Sequence, residues 1–87
     1  MLALAKNQLR GSIPPELGAL TNLMGLWLHE NQLSGSIPPE LATLTNVKRQ
    51  YRYLSLDKNQ LDTNVTDAAL LAWLDARDRR WRNQRVR

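Results

Sequence analysis

Leucines at 2 and 4, at 26 and 28, and at 54 and 56 alternate with other residues, the period of a short strand with one buried face. Each pair opens a stretch written almost identically: LALAKNQLRGSIPPELGALTNL over 2–23, LWLHENQLSGSIPPELATLTNV over 26–47 and, broken off early, LSLDKNQLDTNV over 54–65. Self-similarity at this period predicts stacked units, because one unit alone cannot cover its own apolar side. Strands supplied one per unit pair in parallel with their neighbours, the chain returning on the opposite side. Beyond each strand Leu9, Leu33 and Leu61 return to the core, followed by Ile13, Ile37 and Val65. Leu17, Leu20 and Leu23, then Leu41, Leu44 and Val47, recur at helical spacing and are expected to face inward from that return side.

The polar positions repeat as strictly as the leucines. Asn7, Asn31 and Asn59 follow the three strands. A buried amide must find partners, so the three are expected to stack and to bond neighbouring backbone; local turn geometry is the simpler alternative. Gly11 and Gly35 suit a bend that a side chain obstructs. Pro14 and Pro38 hold the preceding isoleucine extended, and Pro15 and Pro39 are placed to open a short helix. About seven apolar side chains per unit, each contributing roughly 1.5–3 kcal/mol when covered, do not outweigh chain entropy by a margin that lets one unit stand alone.

The pattern then changes. The third Asn comes 28 residues after the second instead of 24, with the four extra residues inside KRQYRY before Leu54. An added helical turn, with Leu41, Leu44, Lys48 and Tyr51 on one face, accounts for the count; a bulging loop is the alternative. The third unit loses its Gly and Pro-Pro and continues as TDAALLAWLDARDRRWRNQRVR. Thr66 or Asp67 is placed to cap a helix. Leu70, Leu71, Trp73, Leu74 and Trp81 form its apolar stripe, with Asp75, Arg77, Asp78, Arg79 and Arg80 outside. Such a helix seals the open end of the last unit.

The run LxxLxLxxNxLxGxIPxxL resembles the leucine-rich repeat, in the 24-residue form of plant receptor ectodomains that also occurs in bacterial proteins. The DAALLAWLDA stretch at 67–76 resembles the closing segment of some bacterial members and tips the origin toward bacteria. The resemblance implies an α/β fold: a right-handed solenoid with a short parallel sheet on the concave side and short helices or 3-10 turns on the convex side. It divides the chain into three repeats over 1–65 and an amphipathic capping helix with a basic tail over 66–87. It also implies a protein-interaction module that binds a macromolecular partner on the concave sheet, without catalytic residues.

Composition narrows the chemistry. The chain has no cysteine and one histidine, too few ligands for a metal centre, and no cofactor is expected. No apolar run approaches the ~20 residues of a membrane span, and MLALAKNQLR lacks the features of a secretory signal. The protein is expected in the cytoplasm if the chain is complete, or outside the cell if it belongs to a longer receptor or adhesin. The first strand opens without a capping segment, so its bare edge predicts either association with a second copy or a longer array; a frayed first unit standing alone is the alternative.

On the face opposite the leucines lie Ala3, Ala5 and Lys6, then Trp27, His29 and Glu30, then Ser55, Asp57 and Lys58. Trp27, between two core leucines and flanked by small residues, is the expected contact hot spot. Trp27, His29, Glu30, Asp57 and Lys58 make the candidate partner site. The row Lys6, Glu30, Lys58 reads as a self-satisfied charge ladder, and His29 with Asp57 as a surface pair rather than acid/base machinery. The net charge of +4 is concentrated at one end, where residues 77–87 hold six arginines against one aspartate. Arg77, Arg79, Arg80, Arg82, Arg85 and Arg87 around Trp81 therefore form an alternative, anion-binding site for nucleic acid or a membrane surface, with the indole stacking on a base.

Overall fold

In the computed structural model, which describes residues 1–50 and 53–85, the alternating leucines lie where a parallel ladder needs them. Strands β1 (Leu2–Ala3), β3 (Leu26–Trp27) and β5 (Leu54–Ser55) form one parallel sheet in that order. Leu2 is in register with Leu26 and Leu26 with Leu54, while Ala3, Trp27 and Ser55 form the next row. The pairing continues past the strands: Leu4 N donates to Trp27 O at 2.9 Å and Leu28 N to Ser55 O at 2.8 Å. Leu4, Leu28 and Leu56 therefore stand in file. A second parallel ladder, unforeseen in the sequence, joins β2 (Arg10–Gly11), β4 (Gln32–Gly35) and β6 (Gln60–Leu61). Its bend uses Gly11 and Gly35 at φ +82° and +78°, a region that excludes most side chains.

On the return side the Pro-Pro pairs start two 3-10 helices, Pro15–Ala19 and Pro39–Thr43, each entered from an extended proline. They lie close together because the first carries glycine at the contact. A Cβ on Gly18 would come within 2.5 Å of Glu40 O. Thr43 Oγ1 donates to Gly18 O at 3.0 Å and Asn46 Nδ2 to Thr21 O at 2.8 Å, so side chains of the second unit bond the carbonyls of the first. Helix α1 (Ala68–Arg77) packs on the second 3-10 helix. There Trp73 Nε1 donates to Leu44 O at 3.0 Å and Arg77 Nε to Val47 O at 2.9 Å. The fold is an α/β repeat with parallel strands and a C-terminal helix.

Three expectations need correction. The extra residues before β5 do not lengthen the second 3-10 helix, which ends at Thr43, and residues 44–50 form turns and bends. Lys48 N reaches back to Met24 O at 3.2 Å, tying this segment to the previous unit instead of to a further helical turn; Tyr51 lies outside the described residues. Helix α1 is capped by Asp67, whose Oδ1 accepts from Leu70 N at 2.8 Å, but it stops before the extended Asp78, so Trp81 is not on it. Leu20 does not face inward as Leu44 does: it is 46% exposed and Leu44 fully covered. The same helical spacing gives opposite burial because α1 lies over the second unit only.

The asparagines hold the units in register. Asn31 Nδ2 donates to Leu28 O of its own turn and to Leu4 O of the previous unit, both at 3.0 Å. Its Oδ1 accepts from Asn7 N and Leu9 N at 3.1 and 3.2 Å. Asn59 repeats this one unit on, donating to Leu56 O and Leu28 O and accepting from Leu33 N. Before each Asn a non-glycine residue takes left-handed backbone: Lys6, Glu30 and Lys58 at φ +58°, +57° and +59°. That conformation is disfavoured by roughly 1–2 kcal/mol for such residues, and it occurs at the same offset in every unit.

A fourth rung closes the series. Gln84 Oε1 accepts from Asn59 N and Leu61 N at 3.2 and 3.1 Å, and its Nε2 donates to Leu56 O and Trp81 O. Trp81-x-x-Gln84 thus stands for Leu-x-x-Asn. Asp78 Oδ2 accepts from Leu56 N at 2.9 Å, where Leu4 N and Leu28 N find a strand carbonyl.

Asn59 is fully buried whereas Asn7 is exposed. Asn59→Ala should destabilise the chain by about 3 kcal/mol, leaving several buried backbone groups unpaired, and Asn7→Ala by about 1 kcal/mol. Urea unfolding of the two variants checks the ranking; equal losses contradict it.

Candidate functional site

Opposite the buried leucines, the row Ala3, Trp27, Ser55 forms the middle of the β1-β3-β5 face. Trp27 is half-buried there, its ring 6.3 Å from that of His29 and tilted by 57°. His29 Nδ1 and Ser55 Oγ share a 2.5 Å hydrogen bond. The small Ser55 lets the imidazole lie across it, and both are buried. This closes part of the expected surface: His29 is 8% and Asp57 1% exposed, so neither presents its side chain freely. Of the five residues expected to meet a partner, Lys58 is exposed and Trp27 and Glu30 partly so.

A Ser–His hydrogen bond was not visible in the sequence, and in an open cleft it would suggest a nucleophile with its base. Here Ser55 has no exposed surface, so a substrate carbonyl has no path to its Oγ. Among the described residues no group of three or more His, Asp or Glu side chains is placed to hold a metal ion. The charge row is reduced to Lys6 Nζ and Glu30 Oε2 at 4.0 Å, with His29 Nε2 3.9 Å from the same oxygen. The Lys6 side chain is 74% exposed, so the pair contributes less than about 1 kcal/mol.

The basic segment is folded back on the repeats rather than extended. Trp81 is completely covered, and its Nε1 donates to Asp75 Oδ1 at 2.8 Å. This corrects the expectation of an indole free to stack on a base or enter a membrane interface: the ring fills the place of a ladder leucine. Arg77, expected on the outer face of the helix, is 9% exposed, with its guanidinium 5.2 Å from the Trp73 ring and its Nε on Val47 O. Burial, and after it the like charge of Arg49, lowers its pKa from the ordinary arginine value. Arg82 holds Asp75 through Nη1–Oδ1 at 2.8 Å and Nη2–Oδ2 at 3.3 Å, while its guanidinium lies 4.4 Å from the Trp81 ring. Arg85 N donates to Asn59 O at 2.7 Å. Arg79 and Arg80 are exposed, and Arg87 lies outside the described residues. Among the described residues no helix is long and apolar enough to cross a membrane.

Residues 22–44 match the family model for the leucine-rich repeat. That stretch is a leucine-rich repeat. The matched stretch runs through β3, β4 and the second 3-10 helix. It is the unit with a bonded rung on both sides. No curated protein matches the chain. Sequence reasoning missed Gln84 and Asp78, which close the backbone edge of the last repeat. The signal for Gln84 was present as an apolar residue three positions before an amide, disguised by Trp for Leu and Gln for Asn.

Asp75 gives the fold a pH signature. The Arg82 hydrogen bond, then that of Trp81, holds its carboxyl below the usual carboxylate range. A depressed folded-state pKa contributes stability above the unfolded value of about 3.9 and loses it as pH falls through the folded value. Asp75→Asn should therefore be less stable than the parent at pH 7, with the gap narrowing below about pH 4. Urea midpoints across that range test this; a gap that widens in acid contradicts it.

Proposed function

We propose that the chain is a protein-interaction module whose units coil as a right-handed solenoid, meeting its partner on the β1-β3-β5 face around Trp27. The family commonly serves as a protein-interaction module. The handedness is supported by the general preference of parallel strands for right-handed crossovers. The reading of the face is carried by Trp27: a large aromatic side chain held half-open in a row whose other members, Ala3 and Ser55, are small. Such a ring gains most from being covered by a second surface. Lys6, Glu30 and Lys58 supply a charged rim, which governs approach and orientation more than affinity. Asp57 belongs to the support of this surface, not to its contacts, because its carboxylate is buried.

Trp73 and Trp81 are buried, so the acrylamide-quenchable fluorescence belongs to Trp27. A partner obtained by selection against the intact chain should shield that emission. Trp27→Ala should weaken the complex at least tenfold, a loss of about 1.4 kcal/mol or more, with its circular dichroism retained. A partner that leaves the emission quenchable and binds Trp27→Ala as well as the parent sinks the assignment.

A further inference from the structure

Beyond the strand face, the junction between the third unit and the end of α1 holds a second candidate site. A cavity of about 500 Å³ is lined by Arg49, from the residues inserted before β5, and by Asp75, Arg77, Asp78, Arg79 and Arg80. Its size lies within the range of small-molecule sites. The two carboxylates are already committed. Asp75 accepts from Arg82 and Trp81, and Asp78 from Leu56 N and Arg80 N. Arg49 and Arg79, by contrast, have no carboxylate within ion-pair distance among the described residues.

Arg77 forms the inner wall. Its Nε is bonded to Val47 O and its Nη1 lies 3.5 Å from Trp73 O, which leaves Nη2 without an acceptor among the described residues. The Arg49 charge is close enough to disfavour that of Arg77. Like charges brought together in a concave, partly desolvated place are relieved by a bound counter-anion. The negative end of α1 opposes this weakly, since Leu74 O already accepts from Asp78 N. Planar guanidinium forks suit paired oxygens.

We propose that this cavity binds a phosphate monoester dianion, held by Arg49, Arg79 and Nη2 of Arg77, with the remaining volume taken by the body of the ester. The site is separate from the strand face, so either assignment stands without the other.

The buried Arg77 Nε–H gives a local NMR signal. In the intact chain, inorganic phosphate and a phosphoserine tripeptide are titrated against sodium chloride at matched ionic strength. A saturable shift of that signal with phosphate is expected, weakened at least tenfold in Arg49→Gln/Arg79→Gln, whose unliganded spectrum should otherwise match the parent. Saturation by the tripeptide too assigns the ligand to a phosphorylated side chain; saturation by inorganic phosphate alone assigns it to a small free phosphate compound. Binding of the tripeptide should fade below about pH 6, as the dianion takes up a proton and becomes the monoanion. A linear shift equal to that with chloride, or equal affinity in the double variant, overturns the proposal.

Discussion

Everything in this molecule depends on a side-chain amide, at Asn31 and again at Asn59, reaching backbone on two units at once. An amide has two N–H donors and an oxygen with two lone pairs. Asn31 spends one donor on its own turn, another on the previous repeat, and both lone pairs on backbone N–H groups of that repeat. The leucines supply most of the favourable free energy, but burial has no direction and tolerates a slip. The amide does not: moved by one residue, it leaves buried donors and acceptors unpaired. Register is set by the polar rung and stability by the apolar file beside it.

The same bond explains how the series ends. Covering the last leucines with an apolar helix is not enough, because the last strand also presents backbone groups. The segment after α1 supplies partners for several of them: Gln84 to Asn59 N, Leu61 N and Leu56 O, Asp78 to Leu56 N, and Asn83 O to Lys58 N at 2.7 Å. Helix α1 does the equivalent on the return side, where Trp73 and Arg77 bond Leu44 O and Val47 O. Two arginines and a tryptophan that read as a basic tail are therefore partly structural. Arg77 and Arg82 are held by a carbonyl and a carboxylate, and Trp81 is the leucine of the final rung.

Strand register, the stacked asparagines, the positive-φ glycines and the proline-led helices were legible because each recurs at a fixed offset and answers a local need. What was not legible depends on neighbours. Leu20 and Leu44 occupy the same place in their units, and no reading of either unit tells which will lie under α1. Ser55 and Asp57 sit at outward positions of the strand pattern yet are covered, because a larger side chain, His29, lies across the smaller Ser55. The length of α1 was overestimated because its apolar spacing runs on through Trp81, although that residue belongs to another pattern. Burial thus narrows the candidate contact surface from five residues to Trp27, Glu30 and Lys58.

The separation of rung, file and row bears on where function resides. Leu26, Leu28 and Asn31 are buried at positions that every unit fills with the same residue type, whereas the position between the leucines carries Ala3, Trp27 and Ser55 on backbone in continuous register. The scaffold tolerates a methyl, an indole and a hydroxymethyl there, so packing in the repeat does not demand the indole. The residues inserted before β5 fall equally outside the repeat's requirements, and Arg49 is among them. Neither a half-open tryptophan nor a charge close to Arg77 is what the stack would select for its own stability. Side chains that the fold permits without requiring are where a binding role can be placed without disturbing the stack.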